Sequence, residues 1–375
     1  MFTLHSKVNY LLKITAVFWI VTKLLSYKLW LSNRLFPVLP VFDFLDNFPN
    51  GFHLFLFIVG MGLMVLVLLQ PITKKIIGLT LLVEVISCLL DQTRWQPYEY
   101  HCLLVYCFYF FLKEQKHFIN CFIFLMVATY AYSGLHKLNG GFLFFIWEKS
   151  ILIKFFGFRM DQIQNTAVHY LGLTLGLFEV VCALFLLVSK HKKIFAGLLI
   201  VMHLFIIVWL SPLGTNHNFI VLPWNIAMVL FLMVLFFTNE KTNFSFKELF
   251  EARQIVFFIL IGILPMLNFL NLFDDYLSFK LYSGNLPKMF ICIENRAKAK
   301  QFNAYFSENK TILDCPNTIA ISNWSLKEIN VFSYPSERVN IKIMKKWKEQ
   351  HPDILAKFYL VKYPYHKENI QLLGE

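Results

Sequence analysis

The run "GFHLFLFIVGMGLMVLVLLQ", Gly51 to Gln70, carries no acidic or basic residue except a histidine near its start. An α-helix rises about 1.5 Å per residue, so a stretch of this length covers the roughly 30 Å hydrocarbon core of a bilayer. The same reading extends along the chain. Of the 375 residues, 57% are hydrophobic, only 15% are charged, and 42 are phenylalanine. That composition predicts a polytopic membrane protein. Apolar runs between charged loops predict about nine spans, at roughly 8–30, 51–70, 76–92, 99–112, 118–137, 166–188, 194–211, 219–238 and 254–273.

After Asp274 the composition turns polar and mixed. Two β-like stretches, "KMFICIENR" and "AKFYLVKYP", flank "SERVNIKIMKKWKEQ", in which Val339, Ile343 and Trp347 recur every four residues on one helix face. The expected architecture is therefore an all-α membrane bundle over residues 1–273, followed by a small α+β domain over 274–375.

The formal charge of +12 does not indicate a nucleic-acid partner here, because the lysines cluster in short loops between apolar runs. The loops "PITKK", "KEQKH", "SKHKK" and "NEKTNFSFKELFEARQ" alternate along the chain and share one side with the N-terminus. The positive-inside rule makes that side cytoplasmic. An odd number of spans then puts the C-terminal domain outside, with a bacterial inner membrane as the expected location. The first apolar stretch is interrupted by Lys13 and Lys23 and lacks a small-residue cleavage site, so it reads as a retained helix. No loop carries a phosphate-binding glycine motif, which argues against nucleotide-driven chemistry.

Seven cysteines occur without CxxC spacing, and the histidines show neither HxH nor HxxxH, so no metal site is expected. Cys88, Cys102, Cys107, Cys121 and Cys182 fall in apolar runs and read as small buried hydrophobes. Cys292 and Cys315 lie in the polar tail, where an oxidising compartment would allow them to pair.

Three polar constellations punctuate the apolar chain. In "YAYSGLHKLNGG", Tyr130, Ser133, Gly134 and Lys137 fall at i, i+3, i+4 and i+7 and share a helix face. Gly134 opens that face to a close neighbour. An amine taken out of water favours its neutral form, which makes Lys137 a candidate base; the alternative is a lysine reaching for lipid headgroups. His136 is adjacent in sequence but lies off that face. The second constellation, "CLLDQTRWQPYEYH", gathers Asp91, Gln92, Arg94, Trp95, Gln96, Glu99 and His101 at a turn. Charge beside apolar helix is costly, so Asp91 and Arg94 require partners. The third, "SPLGTNHNFIVLPWN", holds Asn216, His217 and Asn218 in a loop and Pro223 and Asn225 in the following span. A proline there predicts a kinked helix whose freed carbonyl is met by Asn225 or water. Lys23, Glu84, Glu179 and His203 fall within predicted spans and are functional or mutually paired groups, Lys23 with Glu84 being one such pairing.

Taken together, "YSGLHKLNGG", "LDQTRWQPYEYH", "PLGTNHNFIVLPWNIAM" and "DDYLSFKLYSGN" resemble elements of the HTTM group, the membrane region shared with vitamin K-dependent gamma-carboxylase. The resemblance covers about residues 10–285. It implies a base acting on a reduced quinone, at the position of Lys137, with His136 standing where the carboxylase type has a second lysine. On the reading as an enzyme that uses a quinol-type lipid, Tyr130 and Ser133 would line the pocket, and Asp91, Arg94, Asn216, Asn218 and Asn225 would orient substrate. The tail after Asp274 is too short for the carboxylase's peptide-binding region, so carboxylation of peptide glutamate is not expected. Two other readings stay open: a non-catalytic export, maturation or immunity factor that binds a peptide or protein, and a transporter.

Overall fold

Apolar composition and length make the chain largely helical from Leu4 to Leu270. The computed structural model describes residues 3–163, 166–239, 244–251, 253–307 and 312–374. Within the last lysine-bearing loop, positions 240–243 and 252 lie outside the described residues, as do 164 and 165 in the segment after Lys137.

The long helices are α1 (Leu4–Leu25), α2 (Asn50–Leu69), α3 (Lys74–Leu90), α4 (Pro97–Phe111), α5 (Gln115–Leu135), α6 (Leu173–Val188), α7 (Lys192–Leu210), α8 (Leu222–Phe236) and α9 (Gln254–Leu270). Among the described residues, six helical stretches are long and apolar enough to cross a membrane: Leu4–Leu25, Asn50–Leu69, Gln115–Leu135, Ala167–Val188, Lys192–Leu210 and Phe219–Phe236. The other three expected spans, α3, α4 and α9, are helical but shorter. In α9 the helix passes from α through π to 3-10 geometry around Pro265, whose ring removes a backbone donor.

Residues 138–165, read from sequence as a connecting segment, instead contain a π-type helix at Phe142–Phe155. The expected kink at Pro223 is corrected as well. Pro223 stands in the first turn of α8, where no intrahelical donor is lost, so the helix starts there and does not bend.

Contacts divide the chain into two compact units. The first comprises Met1–Leu25, Leu56–Ile86 and Gln96–Gly284. Its central element is α5, buried from Phe118 to Tyr130 with apolar and aromatic side chains all round, as a helix surrounded by others requires.

The second unit comprises Ser26–Phe55, Ser87–Trp95 and Asn285–Glu375. Its boundary falls after Gly284, later than the composition change at Asp274, and it includes two segments from between the helices. Four antiparallel strands, β1 (Lys288–Ile293), β2 (Thr318–Ala320), β3 (Ala356–Val361) and β4 (Ile370–Gly374), lie in the order β2-β1-β3-β4. Alternation in β1 buries Met289, Ile291 and Ile293. Helices α10 (Ile321–Ile329) and α11 (Glu337–Gln350) complete the α+β domain, and α11 buries Val339, Ile343 and Trp347, the face read from their spacing. Cys292 and Cys315 are joined by a disulfide.

The inter-helix segments belong to this unit through specific bonds. The Glu328 carboxylate accepts the backbone N–H groups of Leu35 (2.6 Å) and Phe36 (3.0 Å) and the Trp324 indole N–H (2.7 Å). Lys342 donates to the carbonyls of Pro40 and Val41.

Candidate functional site

The site is built from four helices of the first unit. Gly134 on α5 and Gly176 on α6 let the two backbones approach to a distance that no Cβ would allow. Three residues further on, Lys137 in the turn that ends α5 and Glu179 on α6 are thereby brought into an ion pair. The lysine ammonium donates to the Glu179 carboxylate and to the Ser133 hydroxyl, the latter at 2.9 Å. The two charged side chains are 11% and 6% exposed, so this pair is largely withdrawn from solvent.

Beside it runs a directed chain of hydrogen bonds. Asn225 on α8 donates its amide N–H to the Val221 carbonyl (2.8 Å), so its oxygen faces His203 Nδ1, also at 2.8 Å. His203 must then carry its proton on Nδ1, and Nε2 accepts from the Tyr130 hydroxyl at 2.8 Å. Asn225 thus serves the Val221 carbonyl and not, as expected from sequence, one freed by Pro223.

Lys137, Glu179, Ser133, Tyr130, His203 and Asn225 line one cavity of about 70 Å³, with Trp224, Phe279 and Tyr282 among its remaining walls. Trp224 contributes a buried indole N–H with no acceptor among the described residues. Asn218, in the left-handed conformation at φ 54°, reaches the cavity through Tyr282, donating to its hydroxyl at 2.6 Å. Burial pushes the Tyr282 hydroxyl above its ordinary range, so it remains a phenol. Glu179 is the partner that spacing alone left unassigned. Tyr282, Trp224 and Phe279 carry no sequence signal of their own, because aromatic residues are common throughout this chain.

The other sequence candidates lie elsewhere. His136 stacks on Phe269 at 4.5 Å and is not a wall of the cavity. Asn216 adopts φ 47° and donates its backbone N–H to Ser211. Lys23 and Glu84 form a buried pair at 2.5 Å, the mutual pairing anticipated from sequence. In the second unit, Asp91 pairs with Arg34, and its other oxygen accepts the Thr93 N–H. Fully buried Arg94 donates to Leu29 O, to Ser87 O and Oγ, and to His53 Nδ1. All five N–H groups of Arg34 and four of Arg94's meet acceptors within the protein, which makes this a structural junction. Arg34 lies 57 positions before Asp91, too far for spacing to connect them.

Among the described residues no group of three or more metal-binding side chains occurs. No protein-family model, no curated protein and no solved structure matches the chain.

Proposed function

We propose that this chain is a nine-span integral membrane protein that binds a quinol-class lipid at the Lys137 cavity and removes a proton from it. What carries this reading is that six polar residues, from α5 with the turn after it and from α6, α7 and α8, face one cavity. Buried polar groups cost stability unless they are satisfied, and intramembrane ionisable groups mark functional pathways. The likeness of "YSGLHKLNGG" to the HTTM element adds weight to Lys137.

The residues fit the oxygen-bearing edge of such a ligand. Lys137 would hold one of its oxygens, the Trp224 N–H, sealed by protein as the cavity stands, would reach another once that ring turns, and a quinol would supply a phenolic hydroxyl as the acid. A cavity of about 70 Å³ is only about two waters' worth of liquid volume, so a whole ring requires Trp224 or Tyr282 to turn aside.

The ion pair reassigns the proton chemistry. Lys137 and Glu179 face each other as an ion pair, and an ammonium accepts no further proton. The acceptor of the pair is therefore the Glu179 carboxylate, which becomes a carboxylic acid as the quinol's hydroxyl becomes an oxyanion. Lys137 then stabilises developing negative charge on the ligand's oxygen, and Tyr130, held by His203 and Asn225, fixes the wall beside it.

The N-terminus is proposed to be cytoplasmic and the C-terminal domain extracytoplasmic in a bacterial inner membrane. Lysine-rich alternate loops support this, as does the Cys292–Cys315 bond, since disulfides persist in oxidising compartments.

The test is extraction and spectroscopy of quinone from purified wild type, Lys137→Met and Glu179→Gln, with added decylubiquinol as a probe. Quinone retained by the wild type and lost in both variants is expected. A wild type that neither retains nor binds it, while all three fold alike, would leave a non-catalytic membrane factor as the reading.

A further inference from the structure

The second unit contains a cavity of about 170 Å³ that the proposed chemistry does not use. Its walls include His53 and Asn50 from the first turn of α2, Ser32 and Arg34 from the preceding segment, and Lys346 and Asp46. It is lined mainly by polar groups, and it has more than the roughly 30 Å³ that one water occupies in the liquid.

The decisive group is His53. The residue is only 4% exposed. Its Nδ1 lies 3.1 Å from an Arg94 terminal nitrogen, and a guanidinium always donates, so Nδ1 must accept. The ring proton therefore sits on Nε2. No protein acceptor is described for that N–H, and it is not among the atoms sealed off by protein. A donor held in one tautomer, open to a cavity that its otherwise buried residue lines, can meet an acceptor from outside the chain.

Its surroundings supply further donors of the same kind. Asn50 spends its side-chain oxygen on the Ser32 hydroxyl (2.8 Å), which leaves its amide N–H groups available. Lys346 pairs with Asp46 at 3.1 Å and Glu349 at 3.2 Å, and keeps a third N–H. Its one positive charge is thus shared by two carboxylates, of which Asp46 lines the cavity. Asn50 and His53 belong to the first turn of a 20-residue helix, whose terminal amides and dipole favour negative charge. Arg34 adds neither a free donor nor an unpaired charge, since its N–H groups serve Phe36, Lys28, Leu29, Pro37 and the carboxylate of Asp91.

We infer that this cavity binds a phosphate-class oxyanion, held by His53 Nε2, the Lys346 ammonium and the first turn of α2. Donors from separate elements suit a tetrahedral anion with several acceptor oxygens. That chemistry is shared by free phosphate and by a phospholipid headgroup.

The experiment uses the full chain in detergent. Thermal unfolding is followed in inorganic phosphate and in sodium chloride at equal ionic strength, and phospholipid phosphorus retained after delipidation is assayed in parallel. His53→Asn keeps an oxygen acceptor toward Arg94 while withdrawing the ring N–H; Lys346→Gln removes a partly exposed cation at little structural risk. The expected result is a rise in the wild-type midpoint specific to phosphate, as linkage requires of a ligand that binds the folded state, with affinity at least tenfold weaker in the variants. A phospholipid retained by wild type, lost in either variant and displaced by phosphate identifies the headgroup as the source; a phosphate effect without retained lipid identifies the free anion. The inference is overturned if phosphate acts no differently from chloride and lipid retention is the same in all proteins, or if Lys346→Gln binds phosphate as the wild type does.

Discussion

Gly134 and Gly176 face each other where α5 and α6 meet, and neither has room for a methyl group. A Cβ on Gly134 would stand 2.5 Å from the Gly176 carbonyl oxygen, and one on Gly176 would stand 2.7 Å from the Gly134 carbonyl oxygen. The obstacle is backbone on both sides, so relief requires the helices to separate. Gly134→Ala is expected to cost about 1–3 kcal/mol, as overpacking does, and to pull Lys137 away from Glu179. Thermal unfolding in detergent measures the first effect and quinone retention the second. An alanine variant that matches wild type in both would show that the crossing does not set the ion pair.

The two buried lysine–glutamate pairs should respond differently to removal. Breaking either pair at one partner leaves a buried charge and costs about 3–5 kcal/mol, whereas replacing both partners by apolar residues is often near neutral. Lys23→Met with Glu84→Leu should therefore recover most of the stability lost by Lys23→Met alone, with quinone retention intact. Lys137→Met with Glu179→Leu should recover stability but not retention. A double-mutant cycle on each pair checks this. Retention that survives in the second double variant would remove the pair from the binding site.

How much of this was legible in the sequence depends on distance along the chain. The face shared by Tyr130, Ser133 and Lys137 follows from helical periodicity, and all three line the cavity. The strands and the Val339–Ile343–Trp347 face follow from local pattern in the same way. Long-range pairing does not. Glu179 was visible as an intramembrane carboxylate, but nothing in its own segment points to Lys137 rather than Lys23. Asp91 and Arg94 were read as substrate-orienting groups because they needed partners, and the partners proved to be Arg34, Ser87 and His53. The assignment of Ser26–Phe55 to the C-terminal unit was equally hidden, since it rests on single side chains such as Glu328 and Lys342.

Glu328 makes that last point testable. Its carboxylate is the acceptor for two consecutive backbone N–H groups and an indole N–H, and hydrogen bonds to a charged group contribute about 1.5–3 kcal/mol each at most. Glu328→Ala should loosen the segment around Leu35 and Phe36. Hydrogen–deuterium exchange of those two amides is expected to accelerate by tenfold or more, while exchange in the centre of α5 stays unchanged. Unaltered exchange at Leu35 and Phe36 would mean that the segment is held by its other bonds.

His351 gives the second unit a pH dependence of predictable sign. It caps the C-terminal end of α11 and packs edge-on to Phe302 and against Trp347, both at 5.1 Å. Burial lowers its pKa below the ordinary 6.5, so the folded unit prefers the neutral ring. The unfolded chain takes up a proton as pH falls through about 6.5, before the folded form does. The His351 contribution is therefore complete above that pH and is lost as pH falls toward the folded value. Exchange rates of α11 amides, corrected for intrinsic pH effects, should rise between pH 7 and pH 5 in the wild type. His351→Phe keeps an aromatic ring against Trp347 without a titrating group, and should abolish that component. If the variant shows the same pH slope as wild type, another group drives the acid response.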